Sequence, residues 1–407
     1  MNKIELLAPA GDLEKLKIAI EYGADAVYFG GENFSLRAGA GNMSFEEMKE
    51  GIDFAHKRGK KCNLTLNVFP HNYDIDKLYG YLYRIKNLDL DAFIISDPGT
   101  VMMVKEVIPE GEIHLSTQAN LTNYKTAEFW GRQGVKRVVM ARELSLAEMK
   151  SMRDHLPENI ETEAFIHGAM CISYSGRCLL SNFMTGRDAN KGECAHPCRW
   201  KYSLVEEERP EEAFPVYEDR RGTYIMNSKD LCMIEHIPQL VEAGISSAKI
   251  EGRMKSVFYA ATVVKTYRQA LDAYYDNPEK YNTDPNWLNE LRKVSHRDFT
   301  TGFYFKRADE ASQNYETNSY IKDYVFLGLI QEYSEEGGVA RIQQRNKMVL
   351  GDEIEVFGPK GSYFTQIIED MRDEDNNPIE SAPHPKQTVY IKLKERAEKN
   401  FMLRRKK

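Results

Sequence analysis

Residues 4–29 read IELLAPAGDLEKLKIAIEYGADAVYF, and their pattern sets the architecture of most of the chain. Positions 4–9 are an apolar run of strand texture. Positions 12–22 place Leu13, Leu16, Ile18 and Ala19 at helical spacing, and 26–29 return to a strand. The alternation continues to Gly302. Strands are predicted at 61–68, 92–96, 112–117, 137–141, 160–166, 224–226 and 248–251. Helices are predicted at 44–57, 74–86, 100–107, 124–133, 146–155, 233–242 and 256–275. Ser44 is a natural N-cap, with Glu47 completing a capping box. Strand–helix alternation argues for an α/β fold with a parallel sheet. About eight strands at a spacing of roughly thirty residues favour a closed (β/α)8 barrel of TIM type over an open sheet.

The segment before the last barrel strand is enlarged and irregular, giving a cysteine-bearing insertion at about 168–232 within a barrel domain of residues 1–302. Residues 303–322 read as a linker. From 323 to 407 the texture is β, with strands predicted at 325–330, 338–342, 353–356, 363–368 and 388–393. Turn residues Gly337-Gly338, Gly358-Pro359, Gly361 and Asn376-Asn-Pro378 separate them, which predicts a small antiparallel β-barrel domain.

The chain has 407 residues, 42% of them hydrophobic, and carries a net charge of −7. No apolar stretch approaches the ~20 residues needed to span a membrane. Nothing at the N-terminus has the form of a secretory signal, so a cytoplasmic location is expected. The negative sum argues against nucleic-acid binding, but distribution matters more than the total. Residues 392–407 hold eight Lys or Arg against two Glu. They read either as a solvated basic tail or as a phosphate-gripping edge helped by Arg341, Arg345 and Lys347.

Five of the six cysteines, Cys171, Cys178, Cys194, Cys198 and Cys232, crowd into the insertion. In a reducing compartment, clustered thiols mean metal or redox chemistry. Zinc sites pair two tight knuckles; here only Cys194-Ala-His-Pro-Cys198 is tight. Loose spacing suits an iron–sulfur cluster, whose thiolates come from separated loops. Zinc and unligated thiols remain the alternatives. Cys62 lies in an apolar strand and reads as a small buried hydrophobe.

The stretch Glu163-Ala-Phe-Ile-His-Gly-Ala-Met-Cys171-Ile-Ser-Tyr-Ser-Gly-Arg-Cys178-Leu-Leu-Ser181 resembles the signature of the collagenase-like peptidase family U-32. Glu5-Leu-Leu-Ala-Pro-Ala-Gly11, Asp97-Pro-Gly99, Ser116-Thr-Gln118 and Lys249-Ile-Glu-Gly-Arg253 extend the resemblance over essentially the whole chain. It is similar above all to the branch that makes 5-hydroxyuridine at position 34 of tRNA with prephenate as co-substrate. Relatives hydroxylate ribosomal RNA or, as paired proteins, a quinone ring. The resemblance implies an enzyme with a 4Fe–4S cluster on Cys171, Cys178, Cys194 and Cys232, with Cys198 as an alternative ligand. It also implies partners: the tRNA anticodon region, the iron–sulfur assembly machinery and, by analogy with the paired relatives, a paralogous subunit. The historical alternative, an endopeptidase, needs an activated nucleophile or a metal-bound water. Neither a His-Glu-x-x-His helix nor a Gly-x-Ser-x-Gly elbow is present.

Polar residues at predicted strand ends are the remaining candidates, because barrel sites form there. His167, just past the seventh strand, is either bonded to nearby backbone or a catalytic donor beside the cysteines. Lys249 and Glu251 are catalytic candidates. Alternation would send them, with Arg253, to one face. Arg253 and Arg142 suit a bidentate grip on a carboxylate, and prephenate carries two carboxylates. Gln118 and Asn67 are further substrate-binding candidates. Glu5 fits that picture least, because it sits early in its strand. Each of these is alternatively a satisfied interior group or a salt-bridge partner.

Overall fold

The computed structural model describes residues 3–35, 42–170, 180–185, 187, 195, 217–219, 222–224, 229–305 and 320–407. Seven strands lead the chain: β1 (Glu5–Pro9), β2 (Ala26–Phe29), β3 (Lys61–Leu66), β4 (Ala92–Ile95), β5 (Ile113–Leu115), β6 (Arg137–Val139) and β7 (Glu161–Ala169). Helices α1 (Leu13–Glu21), α2 (Phe45–His56), α3 (Ile75–Ile85), α4 (Pro98–Val107), α5 (Tyr124–Arg132) and α6 (Leu146–His155) alternate with them. Capping explains where the helices begin. Asp12, Asp97 and Asn123 each accept a hydrogen bond from the first turn. Ser44 with Glu47, as expected, and Ser145 with Glu148 form full capping boxes.

The insertion contributes α7 (Leu180–Thr185), the hairpin β8 (Tyr217–Asp219) and β9 (Gly222–Tyr224), and β10 (Asp230–Cys232). Then come α8 (Ile237–Glu242), β11 (Ser247–Ile250), α9 (Val257–Asp276), α10 (Pro285–Arg292) and β12 (Phe299–Thr300). Strands β1 to β7 pair in order, all parallel, and β11 pairs with both β1 and β7, closing an eight-stranded barrel. Residue 224 ends β9, and 225–226, predicted as strand, lie outside the described residues. Strand β7 overruns the barrel. Its last residues receive β10 antiparallel, with Cys232 opposite His167 and Asp230 opposite Ala169, and β12 adds to β10.

Strand alternation divides the side chains. Leu6, Ala8, Val27, Phe29, Cys62, Leu64 and Leu66 join the large core under the helices. Inside the barrel the apolar share is small: Leu7, Ala26, Tyr28 and Ile94. Charge supplies much of the rest. Arg137 pairs with Glu5 at 2.5 Å, Glu161 at 2.6 Å and Glu163 at 3.3 Å, and Lys249 pairs with Glu163 at 2.7 Å. The register between β7 and β11 shifts after Lys249, and β11 ends at Ile250. The expected alternation from Lys249 through Arg253 therefore stops at Lys249, which lies in the barrel interior below Glu251 and Arg253.

The C-terminal domain is an antiparallel β half-barrel. Its strands are β13 (Tyr324–Ser334), β14 (Val339–Gln344), β15 (Met348–Val349), β16 (Glu353–Phe357), β17 (Phe364–Ile367), β18 (Met371–Arg372), β19 (Ser381–Ala382), β20 (Thr388–Lys392) and β21 (Met402–Lys406). Seven of them form one sheet in the order β17-β16-β21-β13-β14-β20-β18, and β15 pairs with β19. Residues 392–407 are thus no tail: β21 lies between β16 and β13. Of the predicted linker 303–322, residues 306–319 lie outside the described residues.

The two domains share a packed boundary. Phe258 of α9 stacks on Phe326 at 5.5 Å, and Tyr22 meets Phe357 edge-on. Arg404 of β21 is fully buried between Glu290 of α10 and Glu355 of β16, at 2.8 and 2.7 Å. Arg345 pairs with Glu14 of α1, and Arg341 with Glu332 at 3.4 Å. Both arginines expected to face phosphate are therefore engaged by carboxylates.

Candidate functional site at the barrel mouth

The C-terminal ends of the barrel strands carry a nearly continuous ring of polar side chains. Beyond β11, Arg253 turns inward and is 4% exposed. Its Nη1 donates to Ser35 Oγ at 2.7 Å and to Thr65 Oγ1 at 3.2 Å, and its Nη2 donates to Asn42 Oδ1 at 2.8 Å. The guanidinium has room there because residue 30 is glycine. A Cβ at Gly30 would stand 2.2 Å from Arg253 Nη2 and 2.4 Å from Ser35 Oγ. Gly11 gives similar clearance to the Arg253 carbonyl, 2.2 Å from its would-be Cβ.

The ring continues through Thr65, which also donates to the Phe29 carbonyl, to Asn67 and Gln118. Gln118 Oε1 accepts from Asn67 Nδ2 at 2.8 Å, Ser116 Oγ at 2.9 Å and Ser96 Oγ at 3.1 Å. Past β6, Arg142 donates to the Ala169 carbonyl at 2.6 Å and lies 4.7 Å from the Phe165 ring centroid. Tyr28 closes the circle, donating to the Ile250 carbonyl and to Glu251 Oε2 at 3.3 Å. Gly168, at φ +108°, lets β7 pass the Glu251 backbone, where a Cβ would come within 2.5 Å of the carbonyl oxygen.

Lys249 stands below this ring, its Nζ 4.5 Å from the Tyr28 ring centroid. Burial pushes the Glu163 carboxyl up, yet Lys249, Arg137 and His114 together hold it below the usual carboxylate range. The Glu163 carboxyl is therefore ionised.

His167 is 1% exposed and packs among Tyr259, Tyr267 and Phe299, with Nδ1 3.4 Å from Tyr267 Oη. Burial first, then Lys255 and His296, lower its pKa to about 3, so the imidazole is neutral. It borders Cys232, whose Sγ is 3.9 Å from Tyr267 Oη. Burial pushes that thiol up to about 12. A cation bonded directly to the sulfur is what would make it a thiolate. Cys232 thus fits the donor chemistry of a metal or cluster: a soft, enclosed sulfur beside the Tyr267 hydroxyl, which itself donates to the Ile166 carbonyl at 2.9 Å. Cys171, Cys178, Cys194 and Cys198 lie outside the described residues. Among the described residues no three His, Cys, Asp or Glu side chains gather as a metal site.

The structure therefore brings Arg253, Asn67, Gln118, Arg142 and Glu251 to one mouth. It sets Lys249 beneath them, and His167 with Cys232 to one side under α9. Ser35, Asn42, Thr65, Ser96, Ser116 and Tyr28 belong to the mouth and were missed in the sequence. The available signal was period two in β3, where Asn63, Thr65 and Asn67 follow one face.

Comparison with known proteins matches residues 11–314 to peptidase family U32 and residues 322–404 to the peptidase family U32 C-terminal domain. The chain is 45% identical to tRNA hydroxylation protein P1 of Bacillus subtilis, over 99% of this chain and 95% of that one. It is 31% identical to tRNA hydroxylation protein P2 of the same organism, over 75% and 99%. It is also 31% identical to a collagenase of Porphyromonas gingivalis, over 92% and 91%.

Proposed function

The chain belongs to peptidase family U32, and from that premise we propose that it is a tRNA-hydroxylating enzyme. The observation that carries this is likeness to a tRNA hydroxylation protein along nearly the full length of both chains. The finer reading is 5-hydroxylation of uridine 34 in the anticodon with prephenate as co-substrate, in the cytoplasm. An anticodon base is single-stranded, so swinging it into a pocket costs little. The barrel mouth offers such a base neutral donors and acceptors from Gln118, Asn67 and Ser96. Arg253 and Arg142 offer guanidinium groups to a carboxylated co-substrate.

A 4Fe–4S cluster on Cys171, Cys178, Cys194 (or Cys198) and Cys232 completes the proposal. When bound, the cluster would supply electron transfer or Lewis-acid chemistry. The chain's own residues do the rest. β10 presents Cys232; Tyr267, whose hydroxyl donates to the Ile166 carbonyl, flanks its sulfur; and the neutral His167 excludes water from that side. The tRNA anticodon region, the iron–sulfur assembly machinery and a paralogous family member are the proposed partners. The peptidase reading draws on the collagenase relative. A peptidase needs an activated nucleophile, and among the described residues no serine or cysteine side chain hydrogen-bonds to a histidine.

The test combines anaerobic metal analysis with nucleoside analysis. Wild-type protein should hold iron and sulfide and restore 5-hydroxyuridine to tRNA from a deletion strain. Cys232→Ala should lose both the cluster absorbance and the modification, whereas Cys62→Ala, in the core between sheet and helices, should keep both. Full modification by Cys232→Ala would remove the cluster assignment.

A further inference from the structure

Gln118 has a carboxamide whose two ends live in different worlds. Its oxygen is held from inside by Asn67 Nδ2 and Ser116 Oγ at 2.8 and 2.9 Å and by Ser96 Oγ at 3.1 Å, whose one hydrogen is shared with the Asn67 carbonyl at 3.3 Å. The orientation of the amide follows from the neighbours. Ser116 Oγ accepts from the Gln118 backbone N–H at 3.4 Å, so its own hydrogen is free to donate to Oε1. The Nε2 group is therefore turned away from that cradle and donates to no described residue. It is also absent from the sealed, partnerless side-chain atoms of the interior, and Gln118 is 8% exposed. A nearly buried amide with a locked acceptor and an open NH2 is a donor held ready for a ligand oxygen.

We propose that Gln118 reads the target base, donating from Nε2 to the O4 carbonyl of uracil and thereby rejecting cytosine. This rests on the reading that a tRNA base enters the barrel mouth. Uracil and cytosine share a ring and differ at position 4, carbonyl against amino. An NH2 donor fixed opposite that position meets an acceptor in uracil and a second donor in cytosine. A donor–donor encounter in a desolvated site leaves both groups unpaired, the situation in which enzymes discriminate most strongly. The site needs no charge for this, and the O4 carbonyl adjoins C5, the carbon to be hydroxylated.

Gln118→Glu separates the two ends of the amide. One carboxylate oxygen keeps the three inner donors, and the other replaces the outward NH2 by an acceptor. Wild type and variant would be assayed at pH 8, where the carboxylate is ionised, on two anticodon stem-loops differing only in U34 or C34. We expect kcat/KM on the U34 substrate to fall by on the order of a hundredfold or more, and the C34-to-U34 ratio to rise. Thermal melting and iron content should stay at wild-type levels, because the cradle is intact. Unchanged kcat/KM on U34 overturns the inference. So does an equal loss on both substrates, which would make Gln118 a mere support of the mouth. A rise confined to the KM for prephenate, at an unchanged base ratio, also overturns it and assigns the NH2 to the co-substrate. Wild-type protein that hydroxylates neither stem-loop would remove the function itself, and the inference with it; an active wild type beside an unaltered variant would sink the inference alone.

Discussion

Arg253 and Gly30 are a coupled pair, and the glycine carries a prediction. A methyl group at position 30 would overlap the guanidinium and Ser35, both locked in hydrogen bonds. Gly30→Ala should therefore displace Arg253 and raise the KM for a carboxylated co-substrate about tenfold or more, with the melting temperature down by a few degrees at most. Steady-state kinetics with prephenate varied would check this. His114 makes a different kind of prediction. It faces the barrel interior, donating from Nε2 to Glu112 at 2.9 Å while its Nδ1 has no partner. Burial lowers its pKa below the ordinary value. The unfolded chain then binds the proton first as pH falls below about 6.5, so stability present above that pH is lost on acidification. His167, His236 and His296 are lowered too and act in the same direction. Urea midpoints measured from pH 8 to pH 5 should fall for wild type. They should fall less steeply for His114→Gln, which lacks one of the titrating groups.

At the level of elements, β21 shows how composition misleads. Eight basic residues in the last sixteen look like a solvated tail. Yet Met402 and Leu403 are buried and Arg404 is wholly enclosed, because the strand pairs on both edges. Removing residues 392–407 should unfold the C-terminal domain rather than trim a surface. The near-ultraviolet circular dichroism of its tyrosines and protease resistance of the region from residue 323 onward would report this. A truncated protein that kept both would contradict the pairing. Strand β10 carries the complementary lesson. Three residues long, it has no sequence signature of its own. Still, its pairing with the overrun of β7 sets Cys232 opposite His167, sixty-five positions earlier in the chain.

For the molecule as a whole, the barrel and the half-barrel are held together by aromatic stacking and by buried charge. Arg404 is central, since its loss would leave Glu290 and Glu355 with only Lys293 between them. Removing one member of such a network costs roughly 3–5 kcal/mol. Arg404→Leu should therefore split unfolding into two transitions, the half-barrel melting first. A single cooperative calorimetric peak for the variant, as for wild type, would show that Arg404 does not carry the coupling between the two domains. Arg345 and Asn400, which reach Glu14 and Glu21 of α1, tie the α1 side of the boundary, where Tyr22 Oη also donates to the Asn400 carbonyl at 2.8 Å.

Local pattern determined a great deal by itself. Helical spacing and capping residues such as Ser44 specified the βα units, and their succession, broken once by the insertion, specified a parallel barrel, because a strand followed by a helix must return to the same edge direction. The strand-end polar residues were legible as candidates for the same reason: polar side chains have no packing reason to recur there. What only the tertiary structure decided is which of those residues meet. Lys249, Glu251 and Arg253 look alike in sequence, but a register shift and the end of β11 put the first in an ion pair with Glu163 and the others at the mouth. His167 looked like a mouth residue and lies instead among aromatic rings under α9. Gln118 acquires its direction only from Asn67, Ser96 and Ser116, contributed by three different strand ends. Pairing, register and hydrogen bonding between distant segments are energies of the assembled chain, and no window of sequence contains them.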